Sequence, residues 1–425
     1  MIPPQMRALT AYARTRWLTS TLTSRERIER YQTRATERLL EDSRAAIPFY
    51  RDKGPRFEDM PVIDKAVQQG AFADFNRAGV PLAEVVRAIE SGEETARGLY
   101  VGQSTGTSGN RGRFVISAAE RFEWLGTIVA KAIPDALFLR RRVALALPGF
   151  SSLYRSAPQG SRVKLAFFDL AEGVAAWRDA LAAFAPDTLV APPKILRQLA
   201  EEGALAGVEA FSGAEVLDPL DRRVVQSATG RPVREIYMAT EGLFAVACRH
   251  GTLHLAEDVV RFEWEPAPGG GPLLVPVVTD LVRRVQPMIR YRMNDLLELS
   301  DEPCPCGSAF RPVARVHGRT DDLFEFDQGG RRIVATPDVL RNAVVDAHPG
   351  IADFRIVQRL DGRVVVRLAE GLPDGAYEAA RESLLKALVR LGADPLVEVE
   401  RGLPLRLDRK LRRVERERVG RSPAR

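Results

Sequence analysis

The chain has 425 residues, 45% of them hydrophobic, and a formal net charge of +6. That length suits two or three domains with sizeable cores, and no run of 18 apolar residues offers a membrane span. The charge excess is local: residues 401–425 hold ten Arg/Lys against three Asp/Glu, and the rest carries 52 basic and 53 acidic side chains. That distribution argues for a solvated basic tail and against a nucleic-acid groove.

The N-terminal stretch, interrupted by Arg7, Arg14 and Arg16, lacks the apolar core of a secretory signal, so a cytoplasmic location is expected. Thr23 to Ile47 reads as a helix: Thr23 and Glu26 have capping-box spacing, and Ile28, Tyr31, Ala35 and Leu39 recur at helical steps before Pro48. A short apolar segment, 98–101, leads into Ser104-Thr105-Gly106-Thr107-Ser108-Gly109. Glycines there free the backbone N–H groups to surround an anion, and four hydroxyls add donors. An ordinary flexible turn has the same composition. It is not a Walker loop, because no Gly-Lys-Ser/Thr follows.

Glu120 to Ile133 looks helical. Five β-prone runs then alternate with helical ones: 142–147, 163–169, 188–191, 208–211 and 233–237, with helices predicted at 171–184, 194–202 and 219–229. Such alternation argues an α/β fold with a largely parallel sheet. From Leu253 short β-prone runs separated by Pro-Gly turns predict a smaller antiparallel sheet or barrel. After Asp322 a unit of about 100 residues reads as α+β, with a hairpin at Asp361-Gly362. The expected organisation is a large domain over 1–318 and a small C-terminal domain over 319–425.

Several further stretches stand out together: Phe211-Ser212-Gly213-Ala214-Glu215, Ile236 to Gly242, Thr279-Asp280, Pro287 to Asp295, Gly318 to Asp322, and Pro404 to Val414 with Lys410. In this order and spacing the chain resembles the adenylate-forming superfamily of acyl- and aryl-CoA ligases, on its phenylacetate–CoA ligase branch. Within that branch it looks like adenylate-forming enzymes related to a deazaflavin-adenylylating synthetase. The likeness runs over nearly the whole chain, including Pro48-Phe49-Tyr50 and Thr252-Leu253-His254.

The resemblance implies a role for each matched residue. Ser104, Thr105, Gly106, Thr107, Ser108 and Gly109 would hold the ATP phosphates. Gly213, Ala214 and Glu215 would line the adenine pocket, with Tyr237 against the ring. Thr240 would bond the α-phosphate and Glu241 would hold Mg²⁺. Asp295 would accept the ribose hydroxyls, supported by Arg319, and Asp321 would be the hinge. Lys410, one of only seven lysines, sits six residues after Pro404; its ammonium suits a carboxylate attacking the α-phosphorus. The chain departs from the family at Arg409, where Gly is common, and at Asn110-Arg111-Gly112-Arg113, where relatives carry Pro-Lys. It departs again at Met238-Ala239, beside the adenine tyrosine.

All three cysteines fall near one histidine: Cys248 lies six residues before His254, and Cys304 and Cys306 follow about fifty residues later. Cys₃His is a structural zinc set, and some relatives carry a similar cluster. Reduced core thiols are the other reading, and His250 competes with His254 as a ligand.

The activity implied is ATP-dependent activation of a carboxylic acid, expected to be aromatic, followed by transfer to CoA or to a carrier protein's phosphopantetheine. Phe150, Tyr154, Phe167 and Phe168 are candidates for an aromatic-acid pocket or for core. The basic tail suits an acidic acyl carrier protein. The rivals are an adenylyltransferase that uses no thiol and a non-catalytic nucleotide-binding protein.

Overall fold

The structure is a computed structural model and describes residues 3–104, 111–147, 162–403 and 412–417. Five strands run parallel in the spatial order Val163–Asp169, Arg141–Leu147, Thr188–Ala191, Glu209–Ser212 and Arg234–Ala239. The second strand in sequence lies outside the first, and the third lies on the first strand's other side. The winding therefore reverses between 141–147 and 188–191, and such a reversal leaves a crevice beyond the carboxyl ends of the strands.

Alternation of side chains gives the sheet two apolar faces. On one face Ala144, Leu189 and Ala210 are buried beneath Trp177, Ile195, Leu199 and Val225. Those residues come from the helices Val174–Phe184, Pro193–Glu201 and Pro219–Thr229. On the other face Val143, Leu145, Phe211 and Ile236 meet Ala130 and Ile133, at the end of the helix Ala118–Ala132. That helix starts on a reciprocal cap in which the Ser117 hydroxyl accepts from the Glu120 amide and Glu120 accepts from the Ser117 amide.

Two helix expectations change. The helix Arg25–Ala46 is capped by Ser24, whose hydroxyl accepts from the Arg27 amide, so the Thr23–Glu26 box does not form. Ser24 has the extended backbone that an N-cap needs, whereas Thr23 donates its N–H back to Thr21. The helix expected over 171–184 breaks at Gly173, whose φ of 81° no helix accommodates, and resumes as Val174–Phe184. A first helix, Pro4–Thr21, was not legible, because its apolar residues form no clear stripe. Tertiary packing makes it: it lies on Ala118–Ala132 at Gly126, where a Cβ would come within 2.1 Å of the Ala8 carbonyl oxygen.

The β-rich region is not a separate sheet. Arg234–Ala239 pairs antiparallel with Gly242–Ala247. From there Leu253–Leu255, Pro312–Arg319, Asp295–Leu299, Leu274–Asp280 and Val260–Pro266 continue the same sheet, and Tyr291–Arg292 pairs on Leu274–Asp280. One sheet thus carries twelve strands among the described residues.

After Arg319 a short 3₁₀ turn, Thr320–Asp322, leads to the hairpin Phe324–Gln328 and Arg331–Ala335. A four-stranded sheet follows in the order Val397–Arg401, Val364–Leu368, Phe354–Gln358, Val414–Arg416, with the expected turn at Asp361-Gly362. The helices Pro337–Val345 and Asp374–Leu391 bury Leu340, Val344, Leu384 and Leu388 against it. Leu220, from the helix Pro219–Thr229, enters this second core. Beside it Arg341 makes two bonds to Asp218, at 2.7 and 3.0 Å, and Arg413 makes two to fully buried Asp221, at 2.6 and 3.0 Å.

Candidate active site

The carboxyl ends of the strands and the start of the C-terminal unit enclose one cavity of about 1100 Å³. Ser104, Gly213, Ala214, Glu215, Tyr237, Thr240, Glu241, Asp295, Arg319 and Asp321 all line it. Segments up to 217 positions apart therefore meet around one space. Thr105, Gly106, Thr107, Ser108, Gly109 and Lys410 lie outside the described residues, as do Phe150 and Tyr154. Arg412, two positions beyond Lys410, is described and lines the same cavity.

The base of the 104–112 loop is closed by a reciprocal pair. The Ser104 amide donates to the Gly112 carbonyl at 2.8 Å, and the Gly112 amide donates to the Ser104 hydroxyl at 2.9 Å. A Cβ on Gly112 would lie 3.3 Å from Lys65 Cε and 3.7 Å from Thr240 Oγ1. The loop base, Lys65 and Thr240 are thus neighbours.

Gly213, Ala214 and Glu215 leave the carboxyl end of the strand Glu209–Ser212. Ala214 has φ of +67°, a conformation that costs a non-glycine residue about 1–2 kcal/mol and persists where surroundings enforce it. Glu215 is buried and ion-paired with buried Lys194 at 3.5 Å. Tyr237, at the end of Arg234–Ala239, donates its hydroxyl to Asp295 at 2.6 Å. Burial and the adjoining Asp295 carboxylate hold this phenol well above its ordinary range. Asp295 and Arg319 are cross-strand partners, and the Arg319 Nε lies 3.5 Å from the Asp295 carboxylate.

The turn between Arg234–Ala239 and Gly242–Ala247 supplies Thr240 and Glu241. The Thr240 hydroxyl donates to Glu241 at 2.8 Å, and the Tyr291 hydroxyl donates to the other Glu241 oxygen at 3.2 Å. Burial and the Glu241 carboxylate raise the Tyr291 phenol, so it stays a donor. Arg283 donates to the Thr240 carbonyl at 2.7 Å. Asp280 accepts the amides of Val282 and Arg283, fixing that turn, and burial raises its carboxyl. At the far wall Asn294 donates to Asp321 at 3.4 Å. Asp322 is buried beside Arg412 at 3.3 Å, and burial pushes its carboxyl up to about 6.

Sequence reasoning did not assign Lys65, Tyr291, Arg283 or Arg412 to the site. Lys65 carried one usable signal, the rarity of lysine in an arginine-rich chain. The other three are ordinary in composition and reach the cavity only through sheet pairing and domain packing.

Away from the cavity, one donor atom from each of Cys248, His254, Cys304 and Cys306 lies within 4.8 Å of the others. Cys248 and Cys304 approach to 3.6 Å and Cys306 Sγ lies 3.4 Å from His254 Nε2. The His254 Nδ1 lies 2.9 Å from the Phe310 carbonyl, which assigns it the proton and leaves Nε2 free to coordinate. His250 is outside the cluster, with its Nε2 against Arg249.

No family model matches the chain. It is 28% identical over 199 residues to the phenylacetate-coenzyme A ligase of Thermus thermophilus, covering 42% of this chain and 43% of that one. It is 24% identical over 194 residues to protein CapK of Staphylococcus aureus, covering 44% and 42%. The chain thus matches less than half the length of these curated relatives. It superposes on 2-hydroxyisobutyryl-CoA ligase in the postadenylation state, which holds an acyl-AMP, with a TM-score of 0.69 and 20% identity over 94% of this chain and 91% of that one. This is the adenylate-forming ligase fold. With the same ligase in an open conformation the TM-score is 0.58, and in the thioesterification state 0.52. Among these three states of the adenylate-forming ligase, the arrangement here is most like the postadenylation one.

In this fold Phe168 is core: it packs on Trp177 and Phe184. Phe167 packs against the core on the opposite face of the sheet. Neither lines the cavity. No helix among the described residues is long and apolar enough to cross a membrane.

Proposed function

We propose that this chain joins a carboxylic acid to ATP, forming an acyl adenylate and pyrophosphate, and then passes the acyl group to a thiol. The observation that carries this reading is the single cavity lined by Ser104, Gly213, Tyr237, Thr240, Glu241, Asp295 and Arg319. Each residue offers the group its position requires. Gly213 and Ala214 present backbone to a flat base, and Tyr237 offers a ring face. Asp295, an acceptor already held by Tyr237 and Arg319, suits the ribose hydroxyls. The Thr240 hydroxyl turns from Glu241 to an α-phosphate oxygen.

The acid's carboxylate attacks the α-phosphorus, a new O–P bond forms, and pyrophosphate leaves. Alignment and charge neutralisation are the protein's contribution, with the Ser104 loop and Lys410 assigned to the phosphates and the attacking oxygen. The thiol then attacks the acyl carbonyl and AMP departs. The C-terminal unit turns about Asp321 between the steps, carrying Lys410 away. The acceptor is CoA, and the basic tail supports a carrier protein as a second acceptor.

Two metals fit the residues. The Glu241 carboxylate is buried at the phosphate end of the cavity and is a hard oxygen donor suited to Mg²⁺, which would neutralise phosphate charge there. Cys248, His254, Cys304 and Cys306 supply four ligands, and the Phe310 carbonyl holds the His254 ring from its far side, as a closed structural zinc site needs.

ATP–pyrophosphate exchange across a panel of acids tests the reading, with thioester and AMP followed on adding CoA or carrier protein. Acid-dependent exchange supports it. An adenylylated product released without any use of thiol overturns it.

A further inference from the structure

The cavity is longer and more apolar than a nucleotide requires. At its polar end stand Thr240, Glu241 and Asp295. From there it runs between the helix Ala118–Ala132 and the face of the parallel sheet that the helical layer leaves open. Trp124, Ile128 and Ala132 line it from the helix, four residues apart and so in one stripe. Leu145, Leu165 and Val190 line it from three neighbouring strands. Past Glu120 and Arg121, at the start of the helix, the described lining residues of this helix and these three strands include no charged side chain. Thr127 is the polar one, and its hydroxyl is spent on the Glu123 carbonyl.

Ile128, Leu165 and Val190 keep partial exposure although apolar, while Ala144, Leu189 and Ala210 on the sheet's other face are enclosed by helices. The helical stripe from Trp124 to Ala132 runs over eight helical steps, about 12 Å at 1.5 Å per residue. Three bonds of an extended chain cover about 3.6 Å, so that length matches an alkyl chain of about ten bonds. A single ring would leave most of it without apolar contacts, and such voids forfeit dispersion energy.

We propose that the acid this protein takes is a straight-chain aliphatic carboxylate of medium length, its chain lying between Trp124, Ile128 and Ala132 on the helix and Leu145, Leu165 and Val190 on the sheet. This deepens the activation reading above and rests on it for the chemistry, though not for the binding. The carboxylate stands at the Thr240–Glu241 end and the methyl end points toward Ala132.

Two measurements test it on the full-length protein. The first is ATP–pyrophosphate exchange with saturated acids from two to fourteen carbons, alongside phenylacetate and benzoate. kcat/KM rises about fourfold per methylene up to about ten carbons and then levels or falls, and the aromatic acids trail. A flat length series, or preference for the aromatic acids, overturns the proposal. The second is direct binding of decanoate to the protein without ATP, compared with Ile128→Trp, which fills the middle of the channel. Wild type binds and the variant loses at least tenfold in affinity, with its exchange optimum moved to shorter acids. Decanoate binding without exchange upholds this inference while overturning the activation reading. Exchange with short acids and no decanoate binding does the reverse.

Discussion

At the residue scale the cavity is held ready by side chains that bond one another. Tyr237, Asp295 and Arg319 form one such set, and Thr240, Glu241 and Tyr291 another. Glu241→Gln keeps the shape but removes the charge, and its amide cannot accept at both ends as the carboxylate does. The expected outcome is a loss of 10²-fold or more in kcat/KM for Mg·ATP, with the melting temperature little changed. Normal turnover by that variant would count against the metal role. Tyr237→Phe removes one charge-assisted bond, worth about 1.5–3 kcal/mol to a buried acceptor. It should weaken nucleotide binding by roughly tenfold or more in a titration with a non-hydrolysable ATP analogue.

Asp322 gives a pH prediction with a definite sign. Its ordinary carboxyl value is 3.8, and burial raises it to about 6. The folded state therefore holds the proton more tightly than the unfolded chain. This contribution is fully present below about pH 4 and fades as pH rises through 6, a change of about 3 kcal/mol at most. In Asp322→Asn the dependence vanishes, so denaturant midpoints measured from pH 4 to 7 should show a flatter profile than wild type. An unchanged profile would remove Asp322 as the source.

At the scale of elements, the strand–helix alternation was readable because buried parallel strands are continuous apolar runs and their crossover helices carry 3.6-residue periodicity. The strands at 163–169 and 188–191 and the helix at 219–229 came out as expected. The helix Pro4–Thr21 did not, since packing on Gly126 and not its own pattern holds it. The joining of two β regions into one sheet was equally hidden, because register between distant strands is not a local property. Gly126→Val would drive a side chain into the Ala8 carbonyl. The expected cost is about 1–3 kcal/mol, seen as faster hydrogen exchange in residues 4–21.

The cysteine cluster acts at this scale too. It ties the turn after Gly242–Ala247 to the segment before Pro312–Arg319. If zinc closes it, the purified protein holds one zinc per chain by elemental analysis. Cys304→Ser then lowers zinc content and melting temperature together and leaves the nucleotide cavity in place. A metal-free wild type of undiminished stability would leave reduced thiols as the reading.

For the whole molecule, the docked C-terminal unit completes one side of the cavity, since Arg412 and Asp322 form part of its wall. Two arginines from that unit, Arg341 and Arg413, grip Asp218 and Asp221 on the large part. Removing one partner of a buried pair strands the other, at a cost of about 3–5 kcal/mol, lessened here because Arg197 also meets Asp221. Arg413→Ala should therefore loosen docking. Adenylate formation falls while thioester formation from a supplied acyl adenylate is spared. Many residues named from motif order line this cavity, yet the reason they meet there was not legible. It lies in strand order, in the winding reversal beside Arg141–Leu147, and in a second unit closing from the far end of the chain.

The most direct test follows an oxygen atom. With an activated acid labelled with ¹⁸O in its carboxylate, one labelled oxygen should appear in AMP when thioester forms, because the carboxylate attacks the α-phosphorus. Label absent from AMP, or found in pyrophosphate, would contradict the account.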